Sequence, residues 1–211
     1  MAVKIKICGI KDYEDASLCV EQGVNALGFI FYRRSPRYIL PRQAQAITKR
    51  LPCFISRVGV FVDEPESSVR QIAAAAGLDT LQFHGKETSA YCNTFRKDFK
   101  VIKSFFPKDA SVLARIARYK VDGVLLDIPF AEKKKTPKAI LDFRTVKKIS
   151  AKTPFLILSG GLSEINVGEL IKRLSPYAVD VARGVEKFPG KKDRQLVKNF
   201  IRAVNKAKHY A

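Results

Sequence analysis

Apolar residues along this chain come in two textures that alternate. Short, nearly unbroken apolar runs such as "ALGFIFY", "SRVGVFV", "TLQFH", "GVLLDI" and "PFLILSG" have the length and branching of strands buried on both faces. Between them lie longer stretches with apolar residues three and four apart. The last is the clearest: Leu196, Val197, Phe200, Ile201 and Val204 form a single stripe, which predicts a helix with one buried face. The punctuation agrees. Pro41 stands in the first turn of "PRQAQAITKRL", while Gly23 and Gly77 stand where two other helical patterns stop.

Read in order, the pairs are "VKIKIC" with "KDYEDASLCVEQG", "ALGFIFY" with "PRQAQAITKRL", and "SRVGVFV" with "PESSVRQIAAAAG". Then come "TLQFH" with "TSAYCNTFRKDF", "KVIKSFF" with "DASVLARIARY", and "GVLLDI" with "FRTVKKISA". "PFLILSG" with "INVGELIKRL", and "AVDVARGVE" with "RQLVKNFIRAVNKA", complete the series. Eight strand–helix units of about 26 residues fill 211 residues, the count of a (β/α)8 TIM barrel with short loops. One domain spanning residues 1–211 is expected, since no linker composition interrupts the alternation. A doubly wound open sheet is the alternative, although no GxGxxG follows the first strand.

Composition narrows the class. No stretch approaches the ~20 apolar residues of a membrane helix, and the N-terminus lacks a secretory apolar run, so a cytoplasmic protein is expected. Cys8, Cys19, Cys53 and Cys92 are far apart, with no CxxC pair, which argues for reduced thiols and against a zinc site or disulfide framework. Lys and Arg number 39 against 20 Asp and Glu, a net charge of +19. That field attracts anions of any kind. The basic residues are dispersed apart from the run at Lys133 to Lys138, so a solvated basic surface is expected and nucleic-acid binding as the main role is disfavoured.

A barrel of this kind carries its chemistry at the C-terminal ends of its strands. Cys8 ends strand 1, Arg37 lies in the loop after strand 2, and His84 follows strand 4. Asp127 ends strand 6, Gly160 and Gly161 follow strand 7, and Arg183 and Gly184 end strand 8. A thiol and a carboxyl group facing one pocket can act as base and acid. A buried structural cysteine and a loop-capping aspartate read as well from these positions alone. Loops after strands 7 and 8 are a frequent phosphate site, where bare N–H groups meet a dianion; simple turn glycines are the other reading. Arg37 can grip a carboxylate through two parallel bonds, or lie in solvent.

The motifs "KICGI", "ALGFIFYRRSPRYI", "VGVFVDEP", "LQFHGKE", "LLD", "LILSGGL" and "VDVARGVEKFPGKKD" together resemble the phosphoribosylanthranilate isomerase family, one motif per strand from Lys6 to about Asp193. That resemblance implies an Amadori rearrangement in tryptophan biosynthesis, with no metal and no organic cofactor. It implies Cys8 as general base, Asp127 as general acid and Arg37 on the anthranilate carboxylate. His84, Gly160, Gly161, Arg183 and Gly184 are expected around the phosphorylated substrate. A monomer or homodimer is expected, with no membrane partner.

The chain departs from the family pattern in three places. After Asp127 it reads "IPFAEKKKTPKAILDF" where the family has a glycine-rich loop, Ala182 and Arg183 replace two serines, and Lys86 replaces an acid. Two other readings compete with an active isomerase. One is a diverged barrel retaining only anion or nucleic-acid binding. The other is a related sugar-phosphate isomerase, whose usual aspartate pair Cys8 does not match.

Overall fold

Eight parallel strands hydrogen-bond in chain order and the eighth returns to the first, so the sheet closes on itself and the open-sheet alternative falls away. The strands are β1 (Lys4–Cys8), β2 (Ala26–Ile30), β3 (Ser56–Phe61), β4 (Thr80–Phe83), β5 (Lys100–Phe105), β6 (Gly123–Asp127), β7 (Leu156–Ser159) and β8 (Ala178–Val181). Around them run α1 (Tyr13–Glu21), α2 (Pro41–Thr48), α3 (Glu66–Ala76), α4 (Ser89–Thr94), α5 (Val112–Ile116), α6 (Phe143–Lys152), α7 (Val167–Leu174) and α8 (Arg194–Lys208). The computed structural model describes residues 2–106, 111–128, 143–153 and 155–208. The segment Ile128 to Phe143, singled out in the sequence, lies outside the described residues apart from its two ends. No described helix is long and apolar enough to cross a membrane.

Local signals act where the sequence predicts. Pro41 opens α2; a further signal, not singled out in the sequence, is the Asp12 carboxylate, which caps α1 by accepting the Asp15 N–H at 2.8 Å. Gly77 ends α3 with φ +62°, a left-handed turn that costs glycine no Cβ clash. One element differs. The run "AVDVARGVE" is not a single strand: β8 stops at Val181, Arg183–Val185 form a 3-10 turn, and Glu186–Phe188 (β9) pair back with Lys191–Lys192 (β10). The turn aims Arg183 and Gly184 at the mouth of the barrel, and the hairpin brings Glu186 and Lys192 beneath it.

Two faces of each strand carry different residues. Ile5 and Ile7, Leu27 and Phe29, Leu81 and Phe83, and Val179 and Val181 pack outward against the helices in one large core. The alternate positions face the barrel interior. Its floor is apolar: Val58, Ile102, Leu125, Ile157 and Ala178 form a separate cluster. Above that floor the alternate positions turn polar, with Lys6, Gln82, Ser104 and Asp180 all buried.

Candidate active site

The strand ends expected to carry chemistry surround a cavity of about 250 Å3 at the C-terminal mouth. Arg37, Asp127, the segment Ser159 to Leu162, and the segment Asp180 to Gly184 line it. Asp127 reaches the cavity because β6 ends there in register with Ser159 of β7. Gly160, at φ +92°, is needed for that arrangement, since a Cβ at this position would collide with the Ile128 carbonyl and the Asp127 carboxylate. The backbone N–H groups of Gly160 and Gly161 donate to no acceptor among the described residues. Two free donors on a glycine turn, with the Arg183 cation opposite, make a site an anion can enter.

His84 reaches Asp127 from the next part of the mouth: its Nε2 lies 3.3 Å from Asp127 Oδ2. The other ring nitrogen, Nδ1, lies 3.1 Å from the Gln82 amide nitrogen and 2.8 Å from the Ser104 hydroxyl. With the amide assigned as donor, Nδ1 accepts and the proton sits on Nε2, pointing at the carboxylate. His84 therefore lines a neighbouring cavity with Lys86 and Phe106 rather than the one that holds Asp127 and the glycines.

Cys8 does not line this cavity. It is 6% exposed and stands opposite Gly28 of β2. Two groups of the cavity wall, Asp180 and Arg37, act electrostatically on its sulfur. Burial pushes the Cys8 thiol above its ordinary range; the Lys6 ammonium opposes this, Asp180 adds to it and Lys192 opposes it. Lys6 donates to Asp180 at 2.8 Å, both side chains being nearly inaccessible. Burial works against the Lys6 ammonium, yet Asp180 and Cys8 hold its pKa above the usual lysine value.

Arg37 is at the rim, as expected, but its fork is already engaged. Nε donates to Glu186 Oε1 at 2.9 Å and Nη2 donates to Oε2 at 2.6 Å. Glu186 also accepts from Lys192 Nζ at 3.0 Å, and the same ammonium donates to the Cys8 carbonyl at 2.6 Å. The result is a buried chain from the arginine to the backbone of the cysteine. Burial alone would raise the Glu186 pKa, but Arg37 and Lys192 outweigh it and hold the carboxyl below its usual value.

Lys6, Asp180 and Lys192 escape a reading of strand ends, whereas Glu186 closes the "RGVE" end of the last strand. A signal for the first two was present, since charges interrupt both "VKIKIC" and "AVDVA". Only closure of the barrel sets β1 against β8 with Lys6 opposite Asp180.

A sequence profile described as N-(5'phosphoribosyl)anthranilate (PRA) isomerase matches residues 5–203. N-(5'-phosphoribosyl)anthranilate isomerase of Thermotoga neapolitana is 42% identical over 200 residues, which is 95% of this chain and 97% of that protein. A solved phosphoribosyl anthranilate isomerase in complex with reduced 1-(o-carboxyphenylamino)-1-deoxyribulose 5-phosphate superposes with a TM-score of 0.87 at 37% identity, covering 97% of this chain and 99% of that one. A second structure, of "mutually generated monomers" of the dimeric isomerase from Thermotoga maritima, gives 0.86 at 37% identity with the same coverage. With nearly its whole length matched, the chain belongs to the N-(5'-phosphoribosyl)anthranilate isomerase family, the isomerases of tryptophan biosynthesis.

Proposed function

We propose that the protein converts N-(5-phosphoribosyl)anthranilate to 1-(2-carboxyphenylamino)-1-deoxyribulose 5-phosphate, with Asp127 as general acid and Cys8 as general base. The observation that carries this reading is a single cavity lined by Asp127, Arg37, Gly160, Gly161, Arg183 and Gly184, two of whose wall residues, Arg37 and Asp180, interact electrostatically with Cys8 behind it. Asp127 protonates the ribose ring oxygen and opens it to a Schiff base. Cys8 then removes the C2′ proton, and the resulting enolamine tautomerises to the ketone. The phosphate sits on the free Gly160 and Gly161 N–H groups beside Arg183, which fixes the sugar between acid and base. Arg37 offers the anthranilate carboxylate the edge that Glu186 leaves open. His84 acts on the acid, by orienting Asp127, rather than on the substrate. Proton transfers among these groups need neither metal nor organic cofactor, and the reaction is assigned to the cytoplasm.

The test is decay of substrate fluorescence. Cys8→Ala and Asp127→Asn should each slow it by about 10²–10⁴-fold, the usual worth of a positioned acid or base. A wild type inert at saturating substrate overturns the reading.

A homodimer is also proposed, through the N-terminal end of the barrel. Phe54 is 94% exposed there and helps line a cavity of about 660 Å3 together with Phe155, Ile157 and Tyr177. An exposed phenylalanine next to a cavity of the same chain fits a self-complementary, two-fold interface, and the Thermotoga maritima relative is described as dimeric. Sedimentation should give twice the chain mass, and a monomer at micromolar concentration overturns the proposal.

A further inference from the structure

The buried Lys6–Asp180 pair has no part in the proton transfers described above, and burial makes it costly to keep. Two charges taken out of water rarely repay their desolvation through mutual attraction alone, and a pair of apolar residues usually does as well. Lys6 is 3% exposed and Asp180 5%. Both point into the barrel, directly opposite one another in the β1–β8 ladder. Cys8 lies two residues beyond Lys6 on β1, so its side chain projects to the same interior side. Gly28 of β2 leaves the space that the two side chains share: a Cβ there would fall 2.7 Å from Cys8 Sγ and 3.1 Å from Lys6 Nζ. Any larger residue at Gly28 would displace the ammonium, the sulfur or both.

We propose that Lys6 is a positioning residue for the base: its ammonium, paired with Asp180, stands beside the Cys8 sulfur and stabilises the thiolate that forms there when the base gives up its proton. This deepens the reading of Cys8 as general base and rests on it. The charges facing the sulfur support the assignment. From β1 comes Lys6, from β8 Asp180, from β10 Lys192 and from the loop after β2 Arg37. Glu186 of β9 neutralises one of the last two. That makes three cations against two carboxylates, and a thiolate is the third anion that balances them. Burial opposes the thiolate, and the Lys6 ammonium, which shares with the sulfur the space left at Gly28, is the foremost group working the other way. Lys192 is bound to the backbone oxygen of Cys8 and Arg37 to Glu186, so neither can replace Lys6.

The experiment titrates Cys8 through its ultraviolet thiolate absorbance, taken as the difference from a matching Cys8→Ser protein. The proteins are wild type, Lys6→Met, Asp180→Asn and Lys6→Met/Asp180→Asn, and the pH profile of kcat/KM is measured in parallel. In Lys6→Met the thiolate titration and the ascending limb of kcat/KM should move together to higher pH. Each unit of displacement lowers the rate at neutral pH about tenfold, and the rate should recover as pH rises. A merely structural role for Lys6 would lower the rate at every pH and leave the titration where it was. The double variant carries no unpaired buried charge and is compared with Asp180→Asn, because Asp180 itself raises the Cys8 titration; should Lys6→Met not fold, that comparison decides the question. An unmoved thiolate titration in the folded variants overturns the proposal whatever the activity. Full activity of Cys8→Ser, by contrast, overturns the base assignment and leaves the titration result standing.

Discussion

The two ends of the barrel interior are built from the same eight strands by opposite means. At the floor, Val58, Ile102, Leu125, Ile157 and Ala178 fill the space with apolar volume. At the mouth, the alternate positions of the same strands hold Lys6, Asp180, Asp127 and Cys8, tied to Arg37, Glu186 and Lys192. The floor is stabilised by area removed from water and tolerates any shape-conserving apolar change. The mouth is stabilised only as long as each charge keeps its partner. Stability and chemistry are thereby segregated along one axis, and a residue's height on its strand predicts which of the two it serves.

Three changes test that contrast. The largest effect is expected from Glu186→Ala, which strands the buried Lys192 ammonium and the Arg37 fork together. Denaturant unfolding should register a loss of about 3–5 kcal/mol, and KM should rise because Arg37 loses its support. The same residue has a pH signature. Its folded-state pKa is depressed, so its contribution is present above the unfolded value and lost as pH falls through the folded one. The wild type should therefore lose stability below about pH 4.5, and the variant should lose less over that window.

Leu125→Ala, in the floor, should cost about 2–5 kcal/mol through the cavity it leaves. Its kcat at a temperature where it remains folded should stay within about twofold of wild type. A large fall in kcat there would break the segregation of roles, because floor and mouth would then act as one unit. Smallest is Phe54→Ser. Intrinsic stability should move by no more than about 0.5 kcal/mol, as for other exposed positions, while sedimentation shifts from dimer to monomer.

Much of this was legible in the chain before folding. The two textures of apolar pattern give eight strands and eight helices in the right order, and Pro41 and Gly77 act at the helix ends where such residues act anywhere. Asp127, Gly160 and Arg183 were found by asking what ends each strand, a question with a local answer. Two misreadings have a common cause. "AVDVARGVE" reads as one strand, yet the chain turns after Val181 to bring Glu186 against Arg37. Arg37 was read as a free fork because its partner is 149 residues away.

What the sequence by itself determined is periodicity: which residues alternate, where helices stop, and which side chains stand at strand ends, since these follow from neighbours within a few positions. Tertiary structure alone decided which charges became partners. Lys6 meets Asp180 across 174 positions only because the sheet closes, and the energy of a charge depends on what surrounds it in space rather than along the chain.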